Sequence, residues 1–196
     1  MLAALTEVAA LFTGLTIRNR SEISDAGPVR LVQPRSIVAG PRIDLANTDT
    51  IEDRVQLGRQ LLADGDLVLR TRGSRFEAAA FAGDGVATVA SAPLIVLRPA
   101  PEKVLPEYLQ WLLNEAPEVR RALGNAMRGS TVQSLNIEDL NRITVPVPPI
   151  QLQRTIVEAA ALSRRAAELE ARLAELRKIH TARALSEAAR QMTKES

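Results

Sequence analysis

The sequence predicts an α+β protein, with a small, mostly antiparallel-sheet domain over residues 1–148 and a long coiled-coil helix over 149–196. Two observations carry this expectation. Val145-Pro146-Val147-Pro148-Pro149 stops a strand and releases a run free of proline and glycine to about Gln191. Upstream, from Asp64 to Leu97, short apolar runs alternate with glycine-bearing turns, the pattern of small strands joined by tight connections. Within the C-terminal run Ala159, Leu162, Ala166, Leu169, Leu173, Leu176 and His180 follow at alternating intervals of three and four, the seam of a coiled coil. At 1.5 Å per residue such a helix reaches roughly 60 Å, beyond the span of a small globule, so its apolar stripe requires another helix. The expected role is a spacer or a homodimerisation arm, with Leu162, Ala166, Leu169, Leu173, Leu176 and His180 at the interface.

The elements follow in order. A short apolar-periodic segment runs from Leu5 to Phe12 and is closed by Gly14. The next forty residues are punctuated at Gly27-Pro28, Pro34, Gly40-Pro41 and Asn47-Thr48-Asp49, which allows short strands and loops. Asp64-Gly65 then reads as a turn, Asp66 to Thr71 as a strand, Arg72-Gly73 as a turn and Phe76 to Phe81 as a strand. Gly83-Asp84-Gly85 leads into two more strands, Val86 to Ser91 and Leu94 to Leu97. Pro106 sits where a first helical residue tolerates proline, with Glu107 favourable in the first turn. Leu105, Leu109, Leu112, Ala116, Val119, Leu123 and Met127 mark one apolar face broken by Pro117, so two consecutive helices are expected. Tyr108 and Trp111 read as core or rim residues. Asn136 is an N-cap for Ile137 to Asn141, with Asp139 three residues on. Ile143 to Val147 closes the domain as a strand.

Composition narrows the function classes. The chain has 25 basic and 23 acidic residues and no polybasic tract, so charge alone does not argue for nucleic acid. Nearly all the cations are arginines, which fits either a codon bias or the use of planar guanidinium forks on phosphates and base edges. There is no cysteine and one histidine, His180, on the seam, where a register-setting polar residue is expected. Zinc sites and cysteine–histidine catalysis are therefore excluded. No phosphate-cradling Gly-rich loop and no Gly-x-Ser-x-Gly elbow occurs, and pairs such as Glu52-Asp53 and Glu138-Asp139 read as solvated surface. The chain is expected to be neither an enzyme nor the holder of a metal or cofactor. No run of 18 apolar residues exists and the N-terminus lacks the basic start of a signal peptide, so a cytoplasmic protein without a membrane partner is expected.

What remains is a set of polar loops that carry arginines, two of them with a glycine. They are Leu15 to Arg20, Gln33-Pro34-Arg35, Arg70 to Arg75, and Arg128 to Ser134. The candidate DNA-binding residues on them are Arg18, Asn19, Arg20, Arg35, Arg70, Arg72, Ser74, Arg75, Arg128, Ser130, Thr131 and Gln133. These are the side chains that hold phosphates and read base edges, and loops on a rigid sheet can enter a groove. Singly, each loop reads equally well as solvated surface. Four on one small domain with a dimerising arm favour double-stranded DNA.

Several of these stretches, in chain order, carry a family resemblance. Leu5-Thr6-Glu7-Val8-Ala9 followed by Gly14, then Gly65-Asp66-Leu67-Val68-Leu69, and Leu105-Pro106-Glu107-Tyr108-Leu109 open the set. Gly129 to Leu135 and Ile143 to Pro149, with Gln151 and Gln153 behind them, complete it. Together they resemble one target recognition domain of the specificity subunit of type I restriction-modification systems, from about Leu5 to the helix. The resemblance implies a non-catalytic reader of a bipartite DNA site. It also implies a methyltransferase partner, which would bind S-adenosylmethionine and methylate adenine, and a restriction or translocase subunit. A full specificity subunit has two recognition domains and two spacer helices, whereas this chain has one of each. Either two copies pair through antiparallel helices, or the chain is a fragment. The rival reading from another class is a coiled-coil assembly protein that does not touch DNA.

Overall fold

A computed structural model describes the chain apart from residues 20–22, 25, 39, 53–56, 73–75, 128–133 and 195–196. It contains two compact units, Met1–Arg154 and Thr155–Ser196. The first unit opens with β1 (Leu2–Ala4), α1 (Leu5–Val8), β2 (Ala9–Thr13), β3 (Ile23–Ser24), β4 (Val29–Val32), β5 (Ile37–Val38), β6 (Arg42–Ile43) and β7 (Asp49–Ile51). It continues with β8 (Leu67–Arg70), β9 (Glu77–Ala80), β10 (Thr88–Ala90), β11 (Ile95–Pro99), α2 (Pro106–Asn114), α3 (Pro117–Ala126), α4 (Ile137–Leu140) and β12 (Thr144–Pro146). The last element is α5 (Ile150–Lys194). The architecture is α+β, with mixed, mostly antiparallel sheets followed by a long C-terminal helix.

Local rules explain most boundaries. Proline begins both α2 and α3, where its missing N–H is not needed. Asn136 accepts from the Asp139 N–H at 2.8 Å while Asp139 accepts from the Asn136 N–H at 3.2 Å, a reciprocal cap that fixes α4. At the Asp64-Gly65 turn Gly65 holds φ at +84°, a conformation that strongly favours glycine.

Among the described residues the strands divide among three sheets. One orders β2-β11-β8-β9-β6-β5, a second β10-β4-β7-β3, and a third pairs β1 with β12. The sequence run from Asp64 to Leu97 predicts the strands of one small, mostly antiparallel sheet, but β10 pairs outside it, in parallel with β4, Val89 opposite Leu31. Alternation explains the departure. Val89 joins a buried cluster with Val29, Leu31, Ile51 and Leu57, whereas Ala90 turns to a second cluster with Val32, Val68, Ala79, Leu94 and Val96. A strand whose two faces serve two cores belongs between them. In the six-stranded sheet Val68, Ala79 and Val96 fill one face, and the opposite-face residues Leu67, Leu69, Ala78 and Leu97 are fully buried as well. Both faces are therefore covered.

Side-chain amides join helices to strands. Asn114 of α2 accepts from the Ala78 N–H and donates to the Ala78 carbonyl, both at 2.9 Å, replacing a strand neighbour for β9. Tyr108 is buried, stacks on Trp111 at 5.7 Å and donates its hydroxyl to the Pro146 carbonyl at 3.1 Å. Burial raises the Tyr108 pKa above the ordinary phenol value, which keeps the donor proton in place. Gln153 is fully buried in the first unit. Its Oε1 accepts from the Leu105 N–H at 2.9 Å, and its Nε2 donates to the Lys103 and Pro148 carbonyls at 2.9 and 2.8 Å. Gln153→Leu keeps the volume but strands these three backbone groups. The expected loss is roughly 1–3 kcal/mol for each group left unpaired, read as a lower urea midpoint.

The second unit is helical throughout its described length. Leu162, Leu169, Leu173 and Leu176 are 72%, 58%, 47% and 48% exposed. Among the described residues no helix is long and apolar enough to cross a membrane.

Candidate nucleic-acid interface

The end of β8 gathers loops that lie far apart in the sequence. Arg70 is its last residue, and the Nη2 of Arg70 donates to the carbonyls of Pro34 and Ile37, both at 2.6 Å. Next, the buried Thr71 donates its hydroxyl to the Pro93 carbonyl at 2.8 Å and accepts from the Leu135 N–H at 3.0 Å. Arg72 then forms an antiparallel bridge with Ser134. On the far side of Pro93, the Ala92 N–H donates to the Leu15 carbonyl at 2.8 Å and Leu15 bridges Ser91. Arg70, Thr71 and Arg72 thus tie their own loop directly to the roots of two others, and through Ala92-Pro93 to the root of the loop that begins at Leu15. The approach is close: a Cβ on Gly14 would lie 2.6 Å from the Ala90 carbonyl oxygen, so only glycine fits beside that strand end.

Around this junction lies an open cleft of about 550 Å³ lined by Thr13, Thr71, Arg72, Pro93, Ser134 and Glu138, among others. It carries a cation, a carboxylate and hydroxyls on a sheet-supported rim. Such a surface can donate to phosphate oxygens and to acceptor edges of bases.

The structure sorts the sequence candidates. Arg18, Asn19 and Arg72 are exposed. Arg35 is exposed on the turn after β4 and forms an ion pair with Asp49. Arg70 is turned inward: besides its two carbonyls it approaches Glu77 at 3.3 Å, and its side chain is 27% exposed. Its Nε is buried without an acceptor among the described residues. Arg20, Ser74, Arg75, Arg128, Ser130, Thr131 and Gln133 lie outside the described residues.

Two further arginines have structural duties. Arg98 grips the buried Asp66 through Nε at 2.8 Å and Nη2 at 2.6 Å, and also stacks over Phe12 at 5.3 Å. The Asp66 hydrogen bond raises the Arg98 pKa above its ordinary value. Arg30 forks onto Asp84 at 2.9 and 3.0 Å and holds that carboxyl below the usual carboxylate range. Reading the sequence did not find Thr71, Pro93 or Ser134 as the residues that bring the loops together. Their local context is that of ordinary strand ends, and no short-range signal marks them.

A family model described as the type I restriction modification DNA specificity domain matches residues 4–176. Among solved structures, the chain is similar to the S subunit of a type I restriction-modification system from M. genitalium, with 11% identity and a TM-score of 0.53. That match covers 86% of this chain and 40% of the other. It is also similar to the HsdS subunit from Thermoanaerobacter tengcongensis, with 18% identity and a TM-score of 0.62 over 86% of this chain and 38% of the other. A third likeness is to a chain from a structural study of complex assembly and conformational transition of the type I R-M system. There the identity is 21% and the TM-score 0.58, over 90% of this chain and 43% of the other. The chain thus matches well under half the length of each, and at these identities the likeness is one of fold. A comparison with curated proteins found no match.

Proposed function

From the premise that the chain belongs to the type I restriction-modification DNA specificity domain family, we propose that it reads DNA sequence for a methyltransferase that it does not itself contain. The observation that carries this reading is that the roots of the arginine-bearing polar loops are joined at Arg70, Thr71 and Arg72, directly for the segments at Pro34 and Ser134 and through Ala92-Pro93 for the one at Leu15. Polar loops anchored at a rigid strand end can meet a groove at several points at once. The family is one of specificity rather than catalysis, so the chemistry falls to partners: an adenine methyltransferase that binds S-adenosylmethionine, and a restriction or translocase subunit. Two copies paired through antiparallel α5 helices would present two heads to a bipartite, inverted-repeat site. The setting is the cytoplasm, where DNA and these partners are found.

Gel-shift titration tests the reading. The chain is expected to bind random duplex DNA with an affinity that falls steeply with salt, because each phosphate contact releases counterions. Selection from a randomised pool is then expected to enrich a defined sequence. A coiled-coil assembly protein without DNA contacts would retain no duplex even at low salt. Within the enriched site, Arg72→Ala is expected to cost roughly 1–3 kcal/mol and to relax one base position if Arg72 reads a base, or to weaken all sequences alike if it holds a phosphate. Wild-type affinity in the Arg18, Arg72 and Arg75 triple alanine variant would move the interface to another face.

A further inference from the structure

We propose that Arg70 is a positioning residue for DNA discrimination, acting through the turn it holds and not by touching DNA. The inference rests on the reading of this face as the DNA-contacting one. Arg70 and Arg72 share a strand end and a residue type, yet Arg72 is exposed and Arg70 is committed inside the molecule. One nitrogen of its guanidinium takes the carbonyls of Pro34 and Ile37, which flank Arg35 and Ser36, and another faces Glu77 across the β8–β9 pair.

Those two carbonyls bracket the turn that presents Arg35. Inside the turn, the Ser36 hydroxyl accepts from the Gln33 N–H at 3.2 Å and donates to the Asn47 carbonyl at 2.6 Å, so its own geometry is fixed. Arg70 fixes where this preformed turn stands relative to the Thr71–Arg72 segment. A planar fork can serve two carbonyls and a carboxylate from one rigid group, whereas the ammonium of lysine is a point charge on a flexible stem. Base readout requires placement of donors to within about half an ångström. Phosphate attraction is long-ranged and tolerates more. Loosening the turn therefore removes discrimination between sequences while leaving the electrostatic part of binding in place.

The experiment compares wild type, Arg70→Lys and Arg70→Gln in the full chain on two probes, the duplex enriched by wild type and the unselected random duplex, across a salt series. Both variants are expected to lose at least tenfold in the ratio of enriched to random affinity. Both are also expected to keep the wild-type slope of log affinity against log salt. The ratio is insensitive to a partly unfolded sample, which lowers both affinities alike. Wild-type discrimination in Arg70→Lys would show that positive charge suffices and would overturn the proposal. So would a slope reduced by about 0.9 in Arg70→Gln with both probes weakened equally, the signature of a lost phosphate contact. Failure of wild type to bind either probe at low salt would instead sink the DNA reading itself.

Discussion

Replacing both Leu169 and Leu173 by glutamate is expected to convert the proposed dimer into monomers at micromolar concentration. The two side chains are 58% and 47% exposed along the helix and occupy the centre of a stripe of alternating three- and four-residue spacing. Burying a leucine contributes roughly 1.5–3 kcal/mol, and two-fold symmetry places four of these leucines in each dimer. Because about half of each side chain is left to bury, the loss at the lower end is about 3 kcal/mol, roughly two powers of ten in the dissociation constant. Carboxylates facing one another across the seam add to it. Sedimentation velocity measures the outcome directly, and a wild-type chain already monomeric at that concentration would overturn the homodimer. The double variant should keep the fold of the first unit, because no residue of Met1–Arg154 is altered.

Inserting one heptad near Ala166 is expected to move the two half-sites apart without changing their sequence. Seven residues preserve the seam register and lengthen the helix by about 10 Å. At roughly 3.4 Å per base pair along one strand this corresponds to about three base pairs of added spacer. The same step turns the second half-site by almost a third of a turn around the duplex, so affinity should fall even at the re-spaced site unless the supercoil compensates. Selection from a randomised pool with the insertion variant reads both effects. An unchanged spacer would mean that the helix holds partners together without setting their distance.

The depth to which the sequence could be read followed the range of the interactions involved. Pro106, Pro117 and Asn136 act on their own first turns, Gly65 acts on its own φ, and the leucine seam repeats within two helical turns. Each is a rule about neighbours, so α2 to α5 and the Asp64-Gly65 turn could be placed from residues alone, whereas the stretch from Leu5 to Phe12 hid the change from α1 to β2. The candidate site divides along the same line. The arginine-bearing loops were visible as composition, but whether a given arginine faces solvent was not.

Arg70 and Arg72 make the division concrete, since both stand at the end of the same apolar strand and both are DNA-binding candidates by residue type. What separates them is the arrival of the Pro34 and Ile37 carbonyls from more than thirty residues away, which supplies Arg70 with internal acceptors. The departure of β10 into the second sheet has a similar origin: its apolar alternation suits either sheet, and the buried cluster of Val29, Leu31 and Ile51 decides. By itself, then, the sequence determined an α+β head, a long heptad-patterned helix and a set of polar loops, because local backbone preferences and periodicity act over a few residues. Tertiary structure alone decided which strands pair, which arginine turns inward and which distant segments bond to Thr71. Those outcomes depend on hydrogen bonds and burial between segments whose separation no local pattern encodes.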